Sequence, residues 1–559
     1  MKFRTDESIL LSVRNLCIES VGRDMLRHPI VHGVTFDIPR GKVTAIVGES
    51  GSGKTLTANA IIGLLKHDEL RICEGSSIKF DGVELTSCNA ENLHAMRGVK
   101  MAMIFQEPGS CLNPVLSIGE QLAFPLRQHK GLSRTEALTR AEGLLADVGI
   151  DSPRQRMKAF PHELSGGQQQ RVMIAMALAC EPELLIPDEP TSALDVTVQR
   201  QILDLLAELQ VKYGMTLLLI THDLAVVGEV ADRVIVFQNG VVREQGTKAQ
   251  VLEAPSNQYT QALIASRSRM LRPSTASEID LGESHPGKPH SQQPNVPQLL
   301  MVKHLSKKYE VRKNLFKSGE FSALKDVSFD LIEGETLGVV GESGSGKTTV
   351  AKILARLIDP NNGVILVGSE NILSMNRRQF RPYRRQIQMV FQNPYGSLNP
   401  RWTIRQTLLS PMNVHGLGAD ERGRVEEAGR LLESVGLSGQ DLDRYPHQFS
   451  GGQRQRIAIA RALAVQPSII ICDEVVSALD VTVQVQVMDL LKKLQQDRGI
   501  TYIFISHDLA SIRYMADRVL VMRNGEIVEQ GGVKSVFSAP VHPYTSSLLD
   551  AQPHFKSIL

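Results

Sequence analysis

One set of sequence elements occurs twice in this 559-residue chain, in the same order. GESGSGKT stands at 48–55 and again at 341–348, and SGGQ at 165–168 and 450–453. SALDVTVQ follows at 192–199 and 477–484, then HDLA at 222–225 and 507–510. The offset is 293 residues at the first element and 285 from SGGQ onward, so the first copy carries a few extra residues between its glycine-rich loop and Gln106. Self-similarity with so long a period means a duplicated domain, not a solenoid. The spacing predicts two domains, 1–270 and 299–559, each long enough for its own core. Between them, residues 271–298 hold five prolines and no aromatic residue. Such a stretch cannot bury enough apolar surface to offset its ordering entropy, and it reads as a flexible linker.

Within each copy, short β-branched runs alternate with helical patterns. VTAIVG (43–48), MAMIF (101–105), LLIPDE (184–189) and LLLITHD (217–223) have counterparts in TLGVVG (336–341), IQMVF (387–391), IIICDE (469–474) and IFISHD (503–508). Apolar strands alternating with helices imply an α/β fold with a mostly parallel sheet in each domain. Ligands on such sheets sit at the carboxyl ends of the strands, where all these motifs fall.

GESGSGKT follows a predicted strand and opens a helix, the context a phosphate-binding loop requires. Gly48, Ser50, Gly51 and Gly53 let the backbone curl around phosphate oxygens, and the helix start attracts the anion. Lys54 reaches the β- and γ-phosphates and Thr55 offers a hydroxyl to Mg²⁺. Gly341, Ser343, Gly344, Gly346, Lys347 and Thr348 repeat the set. One such match in isolation can be a surface turn; two aligned matches are not. Phosphoryl transfer also needs a metal carboxylate and a group to position water. Asp188 and Asp473 suit the metal, and Glu189 and Glu474 suit a general base. An acidic pair at a strand end is ordinarily just a polar terminus; here each pair lies downstream of a phosphate loop in the same repeat. His222 and His507 end the next strand, where an imidazole can hydrogen-bond the γ-phosphate. Gln106 and Gln392 end another and offer a neutral contact to Mg²⁺ and water.

LSGGQQQR (164–171) and FSGGQRQR (449–456) decide the family: with the other motifs they resemble the signature of ABC ATPases. The resemblance covers nearly the whole chain apart from the linker. It implies two tandem P-loop NTPase domains, each with a helical signature subdomain. It also implies ATP and Mg²⁺ as ligands. In the family, the signature binds the γ-phosphate from across a head-to-tail dimer. Carried over, Ser165, Gly166, Gly167 and Gln168 close on nucleotide held by Lys347. Ser450, Gly451, Gly452 and Gln453 then close on nucleotide held by Lys54. Asp195 and Asp480 end SALD, which is similar to the family's D-loop. An aromatic residue upstream of the loop stacks on adenine in the family; Tyr309 matches it, whereas the first copy has Ser20. Pro187 departs from the small apolar residue usual in that strand, and Val475–Val476 from Pro190–Thr191.

FQEPGSCLNP (105–114), FQNPYGSLNP (391–400) and APVHPYTSSLL (539–549) resemble ATPases of oligopeptide, dipeptide, nickel, glutathione and opine importers. That implies a subunit powering import of a small solute, with two permease subunits and a solute-binding protein as partners and no ATPase homodimer needed. Its place is then the cytoplasmic face of the inner membrane, held peripherally. No apolar run reaches the ~18–20 residues of a membrane span, and the N-terminus lacks a secretory apolar segment. The six cysteines form no C-x-x-C and none lies in either tail, so no iron–sulfur cluster is expected. A net charge of +2 gives no argument for nucleic acid. The competing reading is a soluble tandem ABC ATPase acting on ribosomes or nucleic acid. Such translation factors join their halves by a long charged helix, unlike 271–298. Which solute is carried is not written in this chain.

Overall fold

The computed structural model describes residues 8–21, 27–66, 69–192, 194–271, 298–314, 317–477 and 479–552. The expected linker lies outside the described residues, except for its ends. The chain divides into two compact units between Ala265 and Ser266.

The first unit is built on a six-stranded sheet. Its strand order is Val241–Thr247, Arg233–Gln238, Val43–Gly48, Thr216–Thr221, Leu184–Pro187, Met101–Ile104. Only the edge strand Val241–Thr247 runs antiparallel; the other neighbours are parallel. Every residue of Thr216–Thr221 is buried. Parallel strands covered on both faces require this, which is why they read as unbroken apolar runs. A second, antiparallel sheet is centred on Ile9–Val21, which pairs with Arg27–Pro39, Leu70–Ile72 and Ser77–Phe80. A helical layer, Ile118–Lys130, Arg134–Asp147 and Gly166–Leu178, closes over Leu122, Leu144 and Ile174. A reciprocal capping box between Ser133 and Glu136 starts its middle helix.

The second unit repeats this plan. Its six-stranded sheet runs Ile387–Val390, Ile469–Asp473, Thr501–Ile505, Thr336–Val340, Arg518–Arg523, Glu526–Gly532. Helices Ile404–His415, Glu421–Ser434 and Gly451–Leu463 form its helical layer. Among the described residues of either unit, no helix is long and apolar enough to cross a membrane.

Two differences between the units have physical causes. In the second, Ile469–Asp473 pairs with Thr501–Ile505 without a break. In the first, the matching ladder stops after Leu185↔Leu217 and resumes only at a bridge between Asp188 and Ile220. Pro187 lies in the gap; it has no N–H to donate to the neighbouring strand. The other difference is buried charge. The Arg518 guanidinium binds Asp330 at 3.2 Å and Glu335 at 3.2 Å, all three being under 5% exposed. The equivalents in the first unit, 293 residues earlier for the acids and 285 for the base, are Asp37, Lys42 and Arg233. Lysine thus replaces one of the two carboxylates. Val475 and Val476 are buried core residues, and the Pro190–Thr191 pair at the same place in the first unit is buried as well.

Candidate functional site

In each unit the candidate residues converge at the carboxyl ends of four parallel strands. The first strand, Val43–Gly48 or Thr336–Val340, runs into the glycine-rich loop, which ends at Gly53 or Gly346 as the N-cap of the next helix. Glycine is obligatory at Gly48 and Gly341: a Cβ there would fall 2.2 Å from the carbonyl oxygens of Phe237 and Met522. The loop is also held from behind. The turn glycines Gly240 and Gly525 donate their N–H groups to the carbonyls of Ser52 and Ser345, each at 3.0 Å. Asn239–Gly240 and Asn524–Gly525 both have positive φ, the signature of a tight hairpin turn. The Asn-Gly pairs were readable in the sequence, but not that their turns brace the phosphate loop.

Lys54 is buried and its Nζ donates to the carbonyls of Gly48 and Glu49 at 2.8 Å each. Lys347 does the same with Gly341 at 2.6 Å and Glu342 at 2.8 Å. The Thr55 hydroxyl donates to Asp188 Oδ1 at 3.2 Å, and Thr348 to Asp473 at 3.2 Å. The ladder gap at Pro187 therefore leaves the first carboxylate where the second unit has its own. Burial pushes both aspartic acids up to about 6, with a neighbouring glutamate adding to the effect and the threonine hydroxyl and lysine opposing it. A hydroxyl and a carboxylate oxygen side by side, in a place where burial disfavours the charge, fit the few protein oxygens that Mg²⁺ takes alongside phosphates.

Glu189 and Glu474 sit at φ 47° and 51°, left-handed backbone that is costly for a glutamate. The same turn occurs in both units. It brings each carboxylate between a histidine and a glutamine: His222 Nδ1 lies 3.2 Å from Glu189 and Gln106 Nε2 donates to it at 3.1 Å. The second unit has 3.3 Å from His507 and 2.7 Å from Gln392. Burial alone would raise both glutamates, but the histidine's hydrogen bond and charge outweigh it and hold them below the usual carboxylate range. Lys, Thr, Asp, Glu, Gln and His are thus gathered in each unit.

The SGGQ segments lie elsewhere on each unit. Ser165 and Ser450 cap the helices Gly166–Leu178 and Gly451–Leu463 in reciprocal boxes with Gln168 and Gln453. Neither serine hydrogen-bonds the phosphate loop of its own unit. The two glycines differ. A Cβ on Gly167 or Gly452 would meet Val198 or Val483 at 2.7 and 2.5 Å, whereas Gly166 opens onto free space. The second glycine is a packing requirement, and the first is not.

Strand register places Tyr309 opposite Phe321 and Ser20 opposite His28. Tyr309 is 38% exposed, open to stack on a base. Ser20 indeed occupies its place in the first unit, without a ring.

The tail motif supplies a residue that was not among the expected site residues. Tyr544, 5% exposed, accepts the N–H of Glu342 in the phosphate loop at 3.1 Å. That N–H belongs to the peptide whose carbonyl, on Gly341, holds Lys347. The tail is pinned by Glu529, which accepts from the N–H groups of Val541 and His542, and by His542 Nδ1 accepting from Tyr544 N–H. In the first unit Glu244 and Asn257 make the matching turn before Tyr259. Replacing Tyr544 by Phe frees one end of a loop peptide; we expect KM for ATP to change about 2–10-fold, the worth of roughly one hydrogen bond, with kcat little altered, in steady-state ATPase assays.

These two sites define a phosphate-loop ATPase built twice in one chain. The ABC transporter family model matches residues 31–192 and 324–477, and the chain belongs to that family. The model of the oligopeptide/dipeptide transporter C-terminal region matches 243–292 and 528–557, so both tails, not the second alone, carry that feature. The chain is 44% identical to the glutathione import ATP-binding protein GsiA of Escherichia coli K12, over 98% of this chain and 90% of that protein. The same identity and coverage hold for the protein of that name from Shigella dysenteriae serotype 1. Among solved structures, cbiO1 from Clostridium perfringens is 28% identical over 43% of this chain and 91% of its own, with a TM-score of 0.38. The chain is thus an ABC-type ATPase of the importer kind, acting at a membrane through permease partners.

Proposed function

We propose that this chain supplies both ATPase domains, 1–270 and 299–559 joined by 271–298, of an importer for glutathione or a short peptide. The observation that carries the reading is the duplicated cluster of Lys, Thr, Asp, Glu, Gln and His at the strand ends. Lys54 and Lys347, with the loop amides, hold the β- and γ-phosphates. Thr55, Asp188 and Gln106 in one site, and Thr348, Asp473 and Gln392 in the other, hold Mg²⁺. When bound, that ion neutralises charge on the transferring phosphoryl group. Glu189 and Glu474, kept ionised by their histidines, orient and deprotonate the attacking water. His222 and His507 then sense the γ-phosphate. Ser165–Gln168 and Ser450–Gln453 complete the site on the opposite domain, so ATP closes the pair and hydrolysis releases it. Tyr309 stacks on one adenine; the site with Ser20 binds nucleotide less tightly. Two permease subunits and a solute-binding protein complete the assembly, and the ATPase lies peripherally on the cytoplasmic face of the inner membrane.

The test is reconstitution of the full chain with its permeases in liposomes. ATPase activity should depend on the permeases and rise with a binding protein loaded with glutathione or peptide, with matching uptake. Stimulation by nickel or an opine instead would correct the solute class. An ATPase that ignores permeases and responds to ribosomes would sink the import reading.

A further inference from the structure

Two cysteines of the first unit face each other across an antiparallel ladder. Ile9–Val21 pairs with Leu70–Ile72 in the register Ile18↔Ile72, Glu19↔Arg71 and Ser20↔Leu70. The Cys73 N–H donates to the Cys17 carbonyl at 3.0 Å, so the register runs on by one residue and sets Cys17 opposite Cys73. Directly opposite residues share a face of the sheet. At such a hydrogen-bonded position they stand about 5.5 Å apart at Cα, inside the roughly 4.4–6.8 Å that a disulfide spans. Both are free thiols, half-buried.

The sulfur of Cys17 also stands at one end of a chain of contacts to the phosphate loop. Its Sγ accepts the N–H of Gly33 at 3.2 Å. The residue before Gly33, His32, donates its N–H to the Gly240 carbonyl at 2.8 Å, and Gly240 donates to the Ser52 carbonyl in the loop at 3.0 Å. The second unit makes the same contacts without sulfur. Asp326 N–H donates to Ser306 Oγ at 3.1 Å, and Asn361 N–H to the Ser306 carbonyl at 2.9 Å. Lys325 N–H donates to the Gly525 carbonyl at 2.8 Å. Serine and asparagine thus stand where the first unit has Cys17 and Cys73. The hydrogen bond at this place needs an oxygen or a sulfur, but a pair that can be joined exists in the first unit alone.

We propose that Cys17 and Cys73 form a reversible disulfide on meeting a small-molecule disulfide such as glutathione disulfide, and that this bond weakens ATP binding at the Lys54 site alone. The inference rests on the reading of that site as an ATP site. The Cys17 thiolate attacks one sulfur of the oxidant and expels the first thiol. Cys73, losing its proton, then attacks the Cys17 sulfur of the mixed disulfide and expels the second. The two cysteines give up two protons and two electrons, and the oxidant takes both up as two thiols. Burial, and then a hydrogen bond to Glu19, pushes the Cys73 thiol up, which assigns the first attack to Cys17. The new bond turns the Cys17 sulfur toward Cys73 and away from Gly33. The N–H beside the brace of the phosphate loop then loses its acceptor. Disulfides in a reducing compartment are mostly transient and regulatory, as this one is.

The test treats the full chain with glutathione disulfide and then with dithiothreitol, following its peptides by mass spectrometry beside equilibrium ATP binding. Lys347→Met confines binding to the first site, and Lys54→Met to the second. A Cys17–Cys73 link should form, and the first-site Kd for ATP should rise about 2–10-fold, the worth of one hydrogen bond, returning with dithiothreitol. The second-site Kd should not move. Cys17→Ser supplies the oxygen that Ser306 supplies in the second unit, so it should keep the reduced Kd and lose the response. Cys73→Ser should stop at a mixed disulfide on Cys17. No Cys17–Cys73 link while the exposed Cys111 takes up glutathione overturns the proposal. So does a link that leaves the first-site Kd unchanged, or a response that survives Cys17→Ser. A reduced chain whose first site binds no ATP overturns the reading of the site itself, before any oxidant is added.

Discussion

Replacing Glu189 and Glu474 together by glutamine lowers the ATPase rate of the full chain by about 10²–10⁴-fold, the usual contribution of a general base, while ATP still binds. Glutamine keeps the size of the side chain and an oxygen for the hydrogen bonds from Gln106 and Gln392. It removes the charge that His222 and His507 stabilise. A loss confined to hydrolysis, read by single-turnover kinetics beside equilibrium ATP binding, separates this role from a structural one. The single variants then apportion the two sites. The carboxylate geometry is the same in both, so a lower contribution from the first would trace to Ser20 rather than to Pro187. Retention of the rate in the double variant would place the base elsewhere.

The largest stability loss is expected from Arg518→Met. Arg518 is in direct contact with two buried carboxylates, Asp330 and Glu335. Removing one partner of a buried pair costs about 3–5 kcal/mol because it strands the other charge. Here it strands two. Denaturant unfolding should show the second unit melting at a lower midpoint, with the first unaffected. The cluster also sets a pH slope. Burial pushes Glu335 up to about 7, against the opposing pull of Arg518. The folded state therefore binds more protons than the unfolded one between the ordinary glutamate range and about 7. The stabilisation is fully present below that range and is lost as pH rises through about 7. Glu335→Gln should remove the slope, and a slope that survives the change would refute the assignment.

Much of this was legible in the chain itself, for reasons that differ by element. The strands Val43–Gly48 and Thr216–Thr221 announced themselves because burial on both faces leaves no charged positions and only threonine among the polar ones. The phosphate loop and acidic pairs stood out because their chemistry needs particular residues at fixed spacing. The antiparallel sheet around Ile9–Val21 was fainter, since its pairing with Arg27–Pro39 is broken by register shifts. The left-handed turn at Glu189 and Glu474 has no local signal: Glu-Pro and Glu-Val follow in the two copies, and glutamate has no preference for that backbone. The contact of Tyr544 with Glu342 joins residues 202 apart, beyond any periodicity. The Arg518 cluster was visible only as a difference between copies, Lys42 against Glu335, and that difference gains meaning when burial is known.

Duplication within one reading frame has a consequence for how these sites can change. In a protein assembled from identical chains, every mutation appears in both sites at once, so a loss in one is necessarily a loss in both. Here a codon belongs to one site alone. Ser20 and Pro187 on one side, and Glu335 and Val475–Val476 on the other, could accumulate without being imposed on their counterparts. The two halves are also made in equal number by every ribosome that completes the chain. Division of labour between them is inherited as a single locus and needs no matching of expression between two genes.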